Sequence, residues 1–245
     1  MGNFLSTFLR MRSRAKKFQT EFEQFRTMAG MVPRRFMLDW NDRYPCLDDR
    51  TGVSAFDPHY IYHTAWAARI LAKLRPPEHV DISSSLYFSA LVSAFVPVSF
   101  YDFRPAPLQL SGLSCKRADL TALPFPDQSI RSLSCMHVVE HVGLGRYGDA
   151  LDYDGDLKAA KQLERVVAPN GHLFFVVPVG KPRICFNAHR IYDFQQVRNA
   201  FPRLSLEEFT LIPDQAAETG PIQNCDVSLV ASQNYACGCF LFQRR

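Results

Sequence analysis

The chain has 245 residues, 47% hydrophobic and 21% charged, which is enough apolar material for one sizeable core. That composition excludes a disordered chain, a collagen-like repeat and a coiled-coil rod. A net charge of +4, from 28 basic and 24 acidic residues, describes a mixed surface, so no nucleic-acid partner is expected.

Seven cysteines form an odd, scattered set, several inside apolar runs such as 133–136, which is how reduced, buried thiols are used in a cytosolic protein. Only Cys237 and Cys239 are close in sequence, and a lone C-G-C lacks the second ligand pair of a zinc site, so no metal is expected. No apolar run approaches the roughly 18 residues of a membrane span, and no signal-peptide core is visible. The expected location is the cytoplasm, with contact to a membrane surface left open.

Residues 1–58 read as an extension and 59–245 as the main domain. Within 1–35, eight Lys or Arg face Glu21 and Glu23, a local excess of six positive charges. Phe4, Phe8, Met11, Ala15, Phe18, Phe22 and Phe25 recur at alternating spacings of four and three. They form one stripe of a helix that Gly30 and Pro33 would end. Such a stripe either docks on its own protein or rests on an anionic membrane surface or partner through residues 1–30. The start Met1-Gly2-Asn3-Phe4-Leu5-Ser6 also fits the amino-terminal myristoylation pattern. Residues 36–58 carry turn signals and predict an irregular, aromatic-rich segment.

A helix is predicted over 59–74, stopped by Pro76-Pro77. Strands follow at 79–83, 98–103, 115–120, 130–137 and 171–179, with helices at 86–95 and 155–168. This alternation predicts an α/β fold with a doubly wound, mostly parallel, Rossmann-like sheet. Two more extended stretches, 204–212 and 235–243, predict a closing antiparallel hairpin and bring the count to seven strands.

Ligands of such sheets bind outside the carboxyl ends of the strands. Four successive strand ends finish in polar or acidic groups: Asp81 with Ser83-Ser84-Ser85, then Asp102, then Asp119-Leu120, then His137 with Glu140-His141. Gly143-Leu144-Gly145-Arg146-Tyr147-Gly148 matches the letters of a dinucleotide motif, but a short helical turn separates it from the preceding strand. The glycines instead predict a loop that closes over the strand ends, with Arg146 clamping an anionic group and Tyr147 beside it. After the fifth strand, Asn187, His189, Arg190 and Tyr192 are candidates for binding a polar acceptor such as a sugar, or for satisfying their own loop. No G-x-S-x-G elbow, Walker loop or H-E-x-x-H pattern supports a hydrolase or nucleoside-triphosphatase.

The strand-end order resembles the class I S-adenosylmethionine-dependent methyltransferase fold. The likeness is clearest at Asp119-Leu120-Thr121-Ala122-Leu123-Pro124-Phe125-Pro126-Asp127 and at His137-Val138-Val139-Glu140-His141. It implies that Asp102 holds the ribose hydroxyls of the cofactor, that Asp119 and Leu120 flank the adenine, and that Asp81, Ser83, Ser85 and His137 complete the site. Longer strings at 140–149, 155–159, 177–180 and 186–192 resemble an uncharacterised methyltransferase-like domain-of-unknown-function family first named from nematode proteins. Where active members of the fold have G-x-G after the first strand, this chain has three serines, whose hydroxyls can bond a carboxylate or ribose.

The resemblance implies methyl transfer from S-adenosylmethionine to a small polar acceptor, for example a carbohydrate hydroxyl. His141 is then the first candidate for the base, with Glu140 orienting it or binding the acceptor; alternatively His141 only packs its helical turn. The competing expectation is a non-catalytic binding or scaffolding protein that keeps the fold and has lost the cofactor with the glycines.

Overall fold

The computed structural model describes residues 2–28 and 35–245. The chain divides into two units, residues 1–55 and 56–245. In the first, α1 (Gly2–Met28) is the expected long helix; its predicted terminators Gly30 and Pro33 lie outside the described residues. Phe18 and Phe22 pack on Trp40, with ring centroids 5.9 and 4.9 Å apart, while Phe8, Met11 and Phe25 stay exposed. Ion pairs from Arg14 to Asp48 and from Arg50 to Glu21 tie the irregular segment to the helix. No helix among the described residues is long and apolar enough to cross a membrane.

The second unit opens with α2 (Pro58–Leu74), which Asp57 caps by accepting from the Tyr60 N–H and which Arg75 ends in a left-handed conformation. His63, Trp66, Ala67, Ile70 and Leu71, at helical spacing, are its buried face. There follow β1 (His79–Ile82), α3 (Leu86–Val92), β2 (Val98–Asp102), β3 (Leu113–Arg117) and β4 (Ile130–Met136). A single 3-10 turn, Val139–His141, precedes α4 (Gly155–Val166) and β5 (Val167–Val179). A small hairpin of β6 (Arg183–Cys185) and β7 (His189–Ile191) leads to α5 (Phe194–Ala200) and β8 (Ser205–Ile212). The chain ends with α6 (Ala216–Thr219), β9 (Ile222–Gln223), α7 (Val227–Ser232) and β10 (Ala236–Gln243).

The main sheet has eight strands in the order β3-β2-β1-β4-β5-β10-β8-β9, parallel from β3 to β5 and antiparallel beyond. The expected count of seven is therefore corrected to eight. The extra strand, β9, is two residues long and too short to display a period of two. The expected antiparallel pairing of the last two long strands is present, but their connection carries α6, β9 and α7 and is no tight hairpin. Side chains alternate across the sheet: Phe175, Val177, Phe240 and Phe242 join the core on one face. Phe174, Val176, Cys237 and Cys239 join that on the other, beneath α2. Both thiols are buried, as expected from the sequence.

A polar chain runs between β1 and β4 inside this core. Ser134 Oγ donates to Asp81 Oδ1 at 2.7 Å and accepts from His79 Nε2 at 2.8 Å, while Ser132 Oγ donates to His79 Nδ1 at 2.7 Å. Ser89 donates to the other Asp81 oxygen. The expectation that Asp81 reaches a cofactor is thus corrected: the side chain is fully buried and serves the strand pairing. Burial pushes its carboxyl up from 3.8 to about 6, against the pull of the serine hydrogen bonds.

Because the folded state holds the proton more tightly than the unfolded chain does, stability is greatest below the ordinary carboxyl range. It falls as pH rises through about 6, by roughly 3 kcal/mol, and then levels off. Asp81→Asn removes that dependence. Urea melts of both proteins should show the wild-type advantage over the variant shrinking by about this amount between pH ~4 and pH ~7. A constant difference would contradict a desolvated carboxyl.

Candidate functional site

Parallel strands deliver their carboxyl ends to one edge of the sheet, and there Ser83, Asp102, Asp119, Leu120, His137 and His141 border a single cleft of about 510 Å³. Ser83 has φ +55°, the left-handed conformation for which glycine is the usual residue. Its N–H and Oγ both donate to the Tyr101 carbonyl, at 2.8 and 3.2 Å, and hold the turn in place. Ser84 Oγ accepts from the Met136 N–H at 3.0 Å and ties this turn to the end of β4. Ser85 precedes α3 without a side-chain cap bond and does not border the cleft, which corrects its expected role.

Asp102, half-buried at the end of β2, accepts from the Arg104 N–H at 2.6 Å through Oδ1. Asp119 is exposed and accepts from the Thr121 N–H and hydroxyl at 2.8 and 2.7 Å, forming a local turn above the buried Leu120. Both carboxylates border the cleft.

His137 ends β4 with φ +58° and donates from Nδ1 to Glu140 Oε1 at 2.9 Å; both side chains are buried. Burial lowers the His137 pKa to about 4 and raises that of Glu140 to about 7. The Nε2 atom of His137 and the Oε2 atom of Glu140 have no hydrogen-bond partner. His141 donates from Nδ1 to the Ala188 carbonyl at 2.6 Å, which leaves a lone pair on Nε2; burial lowers its pKa and keeps the ring neutral.

The glycine-rich segment is a loop, as expected. Gly143, Gly145 and Gly148 all have positive φ, and the Asp149 carboxylate accepts from the N–H groups of Gly143, Gly145 and Tyr147 at 2.7, 3.3 and 3.2 Å. The backbone donors that would cradle a phosphate in a dinucleotide site are thus occupied by the chain's own carboxylate. At Gly143 a Cβ would fall 2.1 Å from the Asp152 carbonyl oxygen, so the stem of this loop requires glycine.

Tyr147 borders the cleft. Arg146 donates to the Ala188 carbonyl at 3.2 Å, and Asn187, at the β6–β7 turn with φ +62°, donates to the Leu144 carbonyl at 3.4 Å. His189 lies against Tyr235, ring centroids 4.8 Å apart. Arg190 is buried, and its guanidinium donates to the carbonyls of Val142, Asp152 and Tyr153 at 2.7, 3.3 and 3.0 Å, with Asp156 Oδ1 at 3.6 Å. None of these four borders this cleft; Arg190 instead lines a second cavity of about 690 Å³ together with Tyr192, and the Arg146 guanidinium lies 3.4 Å from His141 Nδ1. In place of a loop, residues 183–191 form a hairpin whose polar side chains satisfy neighbouring backbone.

Sequence reasoning missed the aromatic and histidine wall beside His137. The His59 and Tyr60 rings stack on His137 with centroids 5.5 and 5.6 Å away, and His63 meets it edge-on at 5.1 Å. The available signal was His59 and His63 at helical i,i+4 spacing, which puts both on one face of α2.

Residues 128–209, from just before β4 into β8, match the family described as "Caenorhabditis protein of unknown function, DUF268". No curated protein sequence matches the chain. Among solved structures, the N-methyltransferase NodS of Bradyrhizobium japonicum, bound to S-adenosylhomocysteine, is similar with a TM-score of 0.53 at 13% identity, over 77% of this chain and 88% of that one. The 1,6-didemethyltoxoflavin-N1-methyltransferase of Burkholderia thailandensis is similar with a TM-score of 0.52 at 9% identity, over 79% of this chain and 93% of that one. The fold is that of the class I methyltransferases. A methyltransferase-type sheet explains why the cleft lies where β1 and β4 adjoin, since the chain reverses its winding direction there.

Proposed function

We propose that the chain is an S-adenosylmethionine-dependent methyltransferase acting on a hydroxyl of a small polar acceptor, with a carbohydrate as the expected class. The observation that carries this reading is one cleft bordered by the Asp102 and Asp119 carboxylates and by a neutral His141 whose Nε2 retains its lone pair. The donor set fits the cofactor: Asp102 would accept from ribose hydroxyls, Asp119 from the adenine amino group, and Leu120 offers apolar contact. Ser83 supports the fit, because its left-handed backbone makes the turn that glycine usually makes. When bound, the cofactor supplies an electrophilic methyl group on a sulfonium.

The chain's own residues do the remaining work. Nε2 of His141 takes the proton of the acceptor hydroxyl, while the Ala188 carbonyl holds the ring in the required tautomer. Tyr147 and the loop closed by Asp149 restrict water at the mouth of the cleft.

Titration calorimetry with S-adenosylmethionine and S-adenosylhomocysteine tests the reading. Micromolar affinity, about −8 kcal/mol, is expected, with roughly a hundredfold loss in Asp102→Ala. If neither ligand binds at millimolar concentration, the non-catalytic binding protein takes the place of this proposal.

A further inference from the structure

The cluster behind the cleft has the features of a metal site. His59 in the first turn of α2, His137 at the end of β4 and Cys237 near the start of β10 each offer one ligand atom, and these atoms lie within 4.8 Å of one another. Ligand atoms around a tetrahedral zinc ion stand about 3.3–3.8 Å apart, so roughly 1 Å of side-chain adjustment closes the set. His59 is only half-buried, in the first turn of its helix, where such adjustment is easiest.

A second observation points independently to a ligand. With Nδ1 engaged by Glu140, the atom left on His137 is Nε2, and it is buried without a hydrogen-bond partner although the side chain is only 6% exposed. An orphaned imidazole nitrogen in a folded interior is costly. A carboxylate on the opposite ring nitrogen is the arrangement that orients a histidine toward a metal. His63, one helical turn beyond His59, repeats the pattern: Nδ1 donates to the His59 carbonyl at 2.6 Å and Nε2 is buried and unpartnered.

We propose that His59, His137 and Cys237 form a three-ligand site for a divalent transition-metal ion of the zinc type. Two imidazoles and a thiolate suit a borderline-soft ion, and the absence of an oxygen ligand from the set disfavours magnesium and calcium. Each imidazole would bind through the lone pair of one ring nitrogen, and the Cys237 thiol would release its proton to solvent as the metal–sulfur bond forms. Three protein ligands leave a fourth position open, and His137 borders the cleft, so the ion stands at the cleft's edge. The sequence expectation of no metal rested on cysteine spacing, whereas these ligands come from three segments far apart in the chain. The site stands on these side chains and does not depend on the methyl-transfer reading.

The test is titration of the chelator-stripped full chain with Co²⁺, followed by Zn²⁺. One equivalent of cobalt should produce a thiolate-to-cobalt charge-transfer band that zinc displaces, and zinc should raise the thermal midpoint. His59→Gln and Cys237→Ala should each abolish the band, Glu140→Gln should weaken binding roughly 10–100-fold, and Cys46→Ser should leave it unchanged. Should Cys237→Ala fail to fold, His59→Gln alone carries the test. No charge-transfer band, or a His59→Gln protein that binds cobalt like the wild type, overturns the proposal. Cobalt binding without S-adenosylhomocysteine binding removes only the methyltransferase reading.

Discussion

Arg190→Met is expected to destabilise the second unit by roughly 3–5 kcal/mol, a fall in thermal midpoint on the order of 10 °C. The guanidinium reaches carbonyls at both ends of the glycine-rich loop, Val142 on one side and Asp152 and Tyr153 on the other, and also faces Asp156. Removing it leaves the part-buried Val142 and Tyr153 carbonyls without their guanidinium donor, while the Asp152 carbonyl keeps the Gly155 N–H at 3.2 Å and Asp156 keeps the Tyr192 hydroxyl, which donates to it at 3.0 Å. Lysine should not rescue the loss, because one ammonium cannot reproduce a planar fork aimed at several carbonyls. The same substitution should loosen the loop beside the cleft and speed its amide hydrogen exchange. A midpoint within about 2 °C of the wild type would show that the loop is held by its own Gly143–Asp149 bonds instead.

His141→Gln is expected to lower the turnover of a hydroxyl acceptor roughly 10²–10⁴-fold while changing S-adenosylhomocysteine affinity less than about threefold. The split follows from position. His141 borders the cleft beside the buried Glu140, its Nε2 3.8 Å from Glu140 Oε1, whereas Asp102 and Asp119 follow β2 and β3 and are the residues proposed to hold the nucleoside. Glutamine can still donate to the Ala188 carbonyl, so the turn should remain folded and the loss should be in kcat. Turnover equal to the wild type would reduce His141 to a packing residue, the alternative weighed from the sequence alone.

Several elements of this molecule are legible residue by residue. The polar strand ends at Ser83, Asp102, Asp119 and His137 are visible in sequence, because each follows an apolar β run and parallel strands must bring their ends to one edge. The loop character of 143–148 is equally visible, since an intervening helical turn separates the glycines from β4. Strand β9 is not visible, being two residues long, and the β6–β7 hairpin lacks an apolar alternation because it packs little of the core.

The side chains that escaped or misled sequence reasoning share one cause. Asp81 and Arg190 are polar residues next to strand ends, as ligand-binding groups are, yet both are consumed inside the protein. Whether a polar group faces solvent or a neighbouring carbonyl depends on burial and on competing partners from distant segments, neither of which leaves a local pattern. His59, His137 and Cys237 approach one another only after α2, β4 and β10 have packed.

By itself, then, the sequence determined the succession of seven of the eight main-sheet strands and of the helices as far as α4, the mostly parallel sheet and the edge at which the cleft opens. All of these follow from hydrophobic period, turn chemistry and chain direction within a few residues. Only the tertiary structure decided which polar side chains line the cleft and which brace it. That choice is set by desolvation and hydrogen-bond competition between residues tens to more than a hundred positions apart, as where β10 brings Cys237 beside His59.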